Sequence, residues 1–434
     1  MDGITLLGGW FNLLPAAGGE GANAFLDLAI ALVFIIAAAK LGGYLSVRIK
    51  QPAVLGELLV GLLLGPSLLD FLHWGVFFQY DQKFTYEMLV SEIHQLAEIG
   101  VLLLMFVAGL ELHLSDLIQS RRVAILAGTL GVFFPLGLGY FSGVLFGGNA
   151  VDESIFLGLI LSATSVSISA QTLLEMGRLR SRVGIGLLGA AVLDDVLVVL
   201  GVSIFFAIWE SGGGGLGDIA LIFLRMVLFI ALAVGFGVRI LPRITTLIER
   251  LPISRGLLAF VFVTMLLYAW LAEIIGHMAP ITGAFLAGLM FSRSPLKQRI
   301  ETQIASVAYG VFVPIFFVSV GLAADMRLLT LPVLGLMLVV TLVAIFGKVL
   351  GCGLGARLAG FDNRQALQMG VGMMSRGEVG LIVANQGVAV GLIHGETFTV
   401  VIGVVLLTTL FTPPLLRRLF QNEPKPESGA AAAI

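Results

Sequence analysis

The sequence predicts an all-α integral membrane protein of about thirteen transmembrane helices, built as inverted repeats with two crossed, broken helices. Three observations carry that expectation. The 434 residues are 58% hydrophobic and only 12% charged, with a mean hydropathy of +1.04, whereas a soluble domain carries roughly 25% charged residues. Apolar stretches near the length of a bilayer crossing, about 20 residues, follow one another along the chain. Two of these stretches are interrupted by polar residues at membrane depth, in positions that correspond between the two halves. The net charge of -2 and the single cysteine, Cys352, imply no nucleic-acid partner, no intrachain disulfide framework and no multi-cysteine metal site.

The apolar segments run at 24–46, 53–72, 96–113, 122–147, 154–176, 183–209, 217–240, 256–276, 278–292, 303–323, 329–354, 365–390 and 396–416. Residues 1–23 read as a short extracytoplasmic lead-in, because Asp2 precedes any basic residue and Gly8, Gly9 and Pro15 interrupt the apolar stretch. Residues 24–420 read as one membrane domain, and 421–434, polar and then alanine-rich, as a disordered cytoplasmic tail. No stretch has the composition of a soluble regulatory module.

The connecting loops alternate in charge. One set carries Arg48 and Lys50, Arg121 and Arg122, Arg178 to Arg182, Arg239 to Arg255, Arg293 to Arg299, Arg357 and Arg364, and Arg417 and Arg418. The other holds little beyond Lys83 and Arg327. Basic loops stay on the cytoplasmic side, so the N-terminus is expected outside and the C-terminus inside a cell inner (plasma) membrane. Segments one to six then match segments eight to thirteen, with the seventh as linker. The fifth, LSATSVSISAQ, masses hydroxyls at its middle, and its counterpart the twelfth, GVGMMSRGEVG, carries glycines and charges.

Five ionisable residues sit at membrane depth: Asp194, Asp195, Lys348, Arg376 and Glu378. Each costs at least about 2.5–3.5 kcal/mol at a bilayer centre, so they should meet in one polar site. Adjacent helix positions differ by about 100°, which directs Asp194 and Asp195 toward different partners. Paired buried carboxylates hold and release protons, and a hard alkali cation suits their oxygens. Thr164, Ser165 and Ser167 offer further oxygens. Lys348 needs a counter-ion, and Asp194 is the natural one. Glu378 and Arg376 flank a helix break, where they would compensate half-helix termini, Arg376 at a C-terminus or on a carboxylate.

At these residues the chain resembles the monovalent cation:proton antiporter superfamily, specifically bacterial Na+/H+ antiporters with a paired-aspartate motif. The matching stretches are QPAVLGELLVGLLLGP (51–66), LAEIGVLLLMFVAGLE (96–111), ATSVSISAQTLLEMG (163–177), AAVLDDVL (190–197), APITGAFLAGLMFS (279–292), PIFFVSVGL (314–322), GKVLGCGLGA (347–356) and SRGEVGLIVANQG (375–387). The resemblance implies a homodimer whose core domain moves against a dimerisation panel. It implies Asp195 as the main ion- and proton-binding carboxylate, Asp194 paired with Lys348, Thr164 and Ser165 at the helix crossing, and electrogenic exchange of Na+ (or Li+) for H+. Na+ is then cargo held by Asp195 and Asp194, and no cofactor or enzymatic activity is implied. The alternatives are a K+/H+ antiporter and a sodium-coupled organic-anion symporter. A channel would favour rings of ligands about a symmetric pore. An intramembrane aspartyl protease would need its two acids in one buried site, whereas Tyr80-Asp81 and Gly217-Asp218 fall in or beside outer loops.

Overall fold

The computed structural model describes residues 20–421 apart from 50, 67, 75–81, 113–117, 147–150, 212–215, 253, 323–330 and 394. The lead-in up to residue 19 and the tail from 422 lie outside the described residues, as do His113, His394, Asp81 and Arg327. Among the described residues the regular structure is helical: α1 (Glu20–Arg48), α2 (Ala53–Leu64), α3 (Gln82–Glu111), α4 (Arg121–Phe146), α5 (Val151–Ser162), α6 (Val166–Glu175), α7 (Arg182–Ser211), α8 (Leu216–Arg239), α9 (Leu241–Arg250), α10 (Gly256–Ile274), α11 (Pro280–Phe291), α12 (Lys297–Val307), α13 (Val313–Leu322), α14 (Leu331–Leu358), α15 (Asn363–Gly372), α16 (Glu378–Ala389) and α17 (Gly395–Phe420). A 3-10 turn at Phe71–His73 and a π-helical turn at Ala308–Phe312, joining α12 to α13, complete it.

Each of the thirteen apolar segments holds helix. Among the described residues ten helical stretches, counting α5–α6 and α12–α13 as one each, are long and apolar enough to cross a membrane. The others are shorter: α2 and α11, of 12 residues each, and α16. Helix α2 falls in the second apolar segment and α11 in the ninth, the same place in each half of the expected repeat. The linker between the seventh and eighth segments, read from sequence as loop, contains α9. Its ten residues are too few and too polar to register as a span, but Pro242 in the first turn and the Leu241, Thr245 burial pattern seat it as a short helix.

The chain divides into two compact units, one of 1–101 with 307–328 and one of 102–306 with 329–434. The first is packed by small residues. A Cβ on Gly56 would lie 2.0 Å from Gly42 O, and one on Gly61 would lie 2.2 Å from Val318 O. In the second unit α14 lies along α4, and the spacing Gly347, Gly351, Gly355 puts three glycines on one face of α14, four residues apart. A Cβ on Gly351 would meet Leu130 O at 2.4 Å, and one on Gly355 would meet Leu126 O at 2.4 Å. Lipid gives no hydrophobic force between helices, so such close approach supplies the attraction. It also brings Lys348, one residue beyond Gly347, beside α7.

Candidate functional site

The fifth and twelfth segments break where the sequence predicts. Helix α5 ends at Ser162 and α6 begins at Val166; α15 ends at Gly372 and α16 begins at Glu378. The two unwound strands cross and bond to each other. Ser165 N–H donates to Ser375 O at 2.9 Å, and the Ser375 hydroxyl donates to Ser165 O at 2.6 Å. Ser169 Oγ donates to Gly372 O at 2.5 Å. These exchanges satisfy backbone groups that have no helical partner and no water at that depth. Gly377 is required here, because a Cβ would sit 2.6 Å from Ser165 Cβ.

Arg376 holds the crossing together. Its side chain is 1% exposed. Nη2 donates to Leu161 O and to Ala344 O, each at 2.8 Å, and Nη1 donates to Met374 O. Leu161 is the penultimate residue of α5, so the guanidinium caps a half-helix C-terminus, where the macrodipole favours a cation. Of the two roles the sequence left open for Arg376, its hydrogen bonds go to carbonyls. From α17, Thr408 Oγ1 accepts the Arg376 N–H at 3.2 Å, and the Thr409 hydroxyl donates to Arg376 O at 2.7 Å. Glu378 is the first residue of α16; its side chain lies outside the described residues.

Helix α7 carries the aspartates into this region, and they face different surroundings. Asp194 is fully buried. Its Oδ1 accepts a 2.5 Å hydrogen bond from Lys348 Nζ, with both side chains closed to solvent. Thr164 and Arg376 are also near enough to act on this carboxylate. Among the described residues Asp194 Oδ2 and Thr164 Oγ1 have no hydrogen-bond donor or acceptor of good geometry, although both are buried. Asp195, 6% exposed, accepts a hydrogen bond at Oδ2 from the Thr282 hydroxyl of α11 at 3.0 Å. It borders a small cavity with Val166, Ile281, Thr282 and Phe285, roomy enough for about one water molecule.

The structure therefore gathers Asp194, Asp195, Lys348, Thr164 and Arg376, with Ser165 at the crossing and its hydroxyl 3.0 Å from that of Ser167. Sequence reasoning did not single out Thr282, Ser375, Thr408 or Thr409. Thr282 stood inside a quoted stretch, APITGAFLAG. A threonine in an apolar helix ordinarily bonds back to its own backbone, so its identity alone gave no signal.

Two half-helices crossing through hydrogen-bonded unwound strands, beside buried carboxylates, define a secondary transporter. The chain belongs to the sodium/hydrogen exchanger family: the family model described as "Sodium/hydrogen exchanger, transmembrane" matches residues 31–421. It is 38% identical over 401 residues to the Na(+)/H(+)-K(+) antiporter GerN of Bacillus cereus, covering 91% of this chain and 96% of that one. It is 36% identical over 389 residues to a Na(+)/H(+) antiporter of Enterococcus hirae, covering 89% and 96%. Among solved structures it resembles the sodium proton antiporter MjNhaP1 of Methanocaldococcus jannaschii, with a TM-score of 0.65 at 19% identity over 93% of this chain and 97% of that one. That likeness speaks to the fold.

Proposed function

We propose that this protein exchanges Na+ (or Li+) for protons across a membrane by alternating access, with Na+ and H+ competing for Asp195. The observation that carries the reading is the split environment of the aspartate pair at the helix crossing. Asp194 has a cation against it, whereas Asp195 has a neutral hydroxyl and a cavity. A carboxylate that borders a cavity is the one a transported ion can reach. Asp194 Oδ2 and Thr164 Oγ1, which lie near each other without a well-formed hydrogen bond, suit a hard cation or a water as a further neighbour. The family resemblance supports electrogenic exchange, with more protons than sodium ions moved per cycle.

Relatives named as Na+/H+ antiporters over nearly the whole chain support sodium as the cargo. The name of GerN also includes K+, and this favours K+ as the second reading. The charge alternation of the loops supports an N-terminus outside and a C-terminus in the cytoplasm of the inner membrane. The family resemblance supports thirteen crossings, a homodimer, and a core moving against a panel. Glu378 and Arg376 serve the dipoles of the broken helices.

The test uses purified protein in liposomes with an acid lumen. External Na+ or Li+ should raise lumenal pH with the wild type and leave it unchanged with Asp195→Asn. A response to K+ alone would replace sodium by potassium at the same site. No response to any of the three, with protein shown to be folded and inserted, would sink the antiporter reading.

A further inference from the structure

We propose that Thr282 is a specificity-determining residue of the ion site, whose hydroxyl sets how strongly a cation competes with a proton at Asp195. The inference rests on Asp195 being the ion-binding carboxylate.

Five buried threonines in mid-helix show the ordinary arrangement, from which Thr282 departs. Thr172, Thr245, Thr264, Thr341 and Thr412 each donate to the carbonyl four residues earlier in their own helix, at 2.7–2.8 Å. Thr282 occupies the first turn of α11, where the chain before Pro280 is not yet helical and the N-cap residue, Ala279, has phi -56 and psi 136. Its hydroxyl therefore crosses to α7 and donates to Asp195 Oδ2. The side chain is 3% exposed and lines the Asp195 cavity together with Ile281.

The position is fixed from behind. A Cβ on Gly283 would lie 2.2 Å from Tyr268 O of α10, and one on Gly288 would lie 2.0 Å from Phe106 O of α3. Residues 281 to 291 of α11 are all buried. With α11 clamped on two sides, the hydroxyl is held at the carboxylate by the placement of the helix rather than by a flexible side chain. The first-turn amides of α11 add positive partial charge on the same side.

A hydroxyl has one hydrogen and two lone pairs. With the site empty of cation, Thr282 donates to the charged carboxylate. With Na+ present, rotation about Cβ–Oγ1 turns a lone pair toward the ion and adds an oxygen ligand of the kind hard cations take. Protonated Asp195 accepts the same bond only weakly, because a neutral carboxyl is a poorer acceptor than a carboxylate. The hydroxyl thus favours the charged and the cation-loaded forms over the protonated one. The other charged groups of the site are Asp194, Lys348 and Arg376, and of these Lys348 donates to Asp194.

The experiment compares wild type, Thr282→Val and Thr282→Ser in liposomes over a series of Na+ concentrations and pH values. Thr282→Val should raise the KM for Na+ about tenfold, the worth of one hydrogen bond to a charged group, with kcat little changed. It should also move the pH of half-maximal activity upward by about one unit, and Thr282→Ser should restore both. Wild-type KM and pH profile in Thr282→Val would overturn the proposal. So would a fall in kcat at constant KM that Thr282→Ser shares, which marks a packing role. If Thr282→Val does not insert, Thr282→Ala and the Na+-dependent rise in melting temperature in detergent give the same comparison: a rise equal to wild type overturns it. Exchange retained by Asp195→Asn would instead remove the reading beneath it.

Discussion

The two faces of α7 at residues 194 and 195 differ in kind. On the Asp194 side the site is a filled lattice of charge: a lysine at 2.5 Å, an arginine spread over three carbonyls, and two glycine-packed helices behind them. On the Asp195 side there are a cavity, a hydroxyl and apolar walls. Neighbours in sequence thus meet different surroundings. One carboxylate lies against a buried lysine, and the other borders a threonine hydroxyl and a cavity. A buried ion pair is weak evidence of stability gained, but breaking one is expensive because the remaining charge has nowhere to go.

That contrast can be broken in order of effect. Asp195→Asn should abolish cation-driven proton movement in liposomes while leaving the melting temperature in detergent near wild type. A large loss of stability would place Asp195 in the lattice with Asp194. Lys348→Met should cost about 3–5 kcal/mol of stability, since it strands a buried carboxylate. The double variant Asp194→Leu/Lys348→Met should recover most of that in a thermal melt, and failure to recover would mean that Lys348 supports more than Asp194. Gly377→Ala should cost about 1–3 kcal/mol by forcing apart the strands at the crossing, read as a lower melting temperature. The smallest effect is expected from Thr164→Val, about 1 kcal/mol or less, because the hydroxyl lacks a well-formed hydrogen bond. A larger change in the KM for Na+ than in stability would bring Thr164 into the ion site.

Much of the fold was legible in the chain. Each apolar segment read from hydropathy holds helix, and the hydroxyls of 163–167 and the glycines and charges of 370–380 marked both breaks. What was missed has two causes. Helix α9 is short and only half apolar, so it carries no signal of the kind a span does. The partners of the crossing, Ser375, Thr408 and Thr409, are small polar residues in apolar helices, where most such residues bond locally and their chemistry is silent in sequence. Arg376 was open between carboxylate and helix terminus, and its hydrogen bond to Leu161 O, 215 residues away, could not be read from the sequence.

The sequence by itself determined that lipid surrounds this chain, where its helices lie, which two of them break, and that ionisable residues at membrane depth needed partners. Each of those follows from a local quantity, the transfer free energy of a short stretch or a single charged side chain between water and hydrocarbon. Only the tertiary structure decided which groups meet. Lys348 reaches Asp194 across 154 residues, and Thr282 reaches Asp195 across 87. Those pairings depend on the angle and depth at which helices pack, set by glycine contacts distributed over the whole domain, and no local window of sequence contains that information.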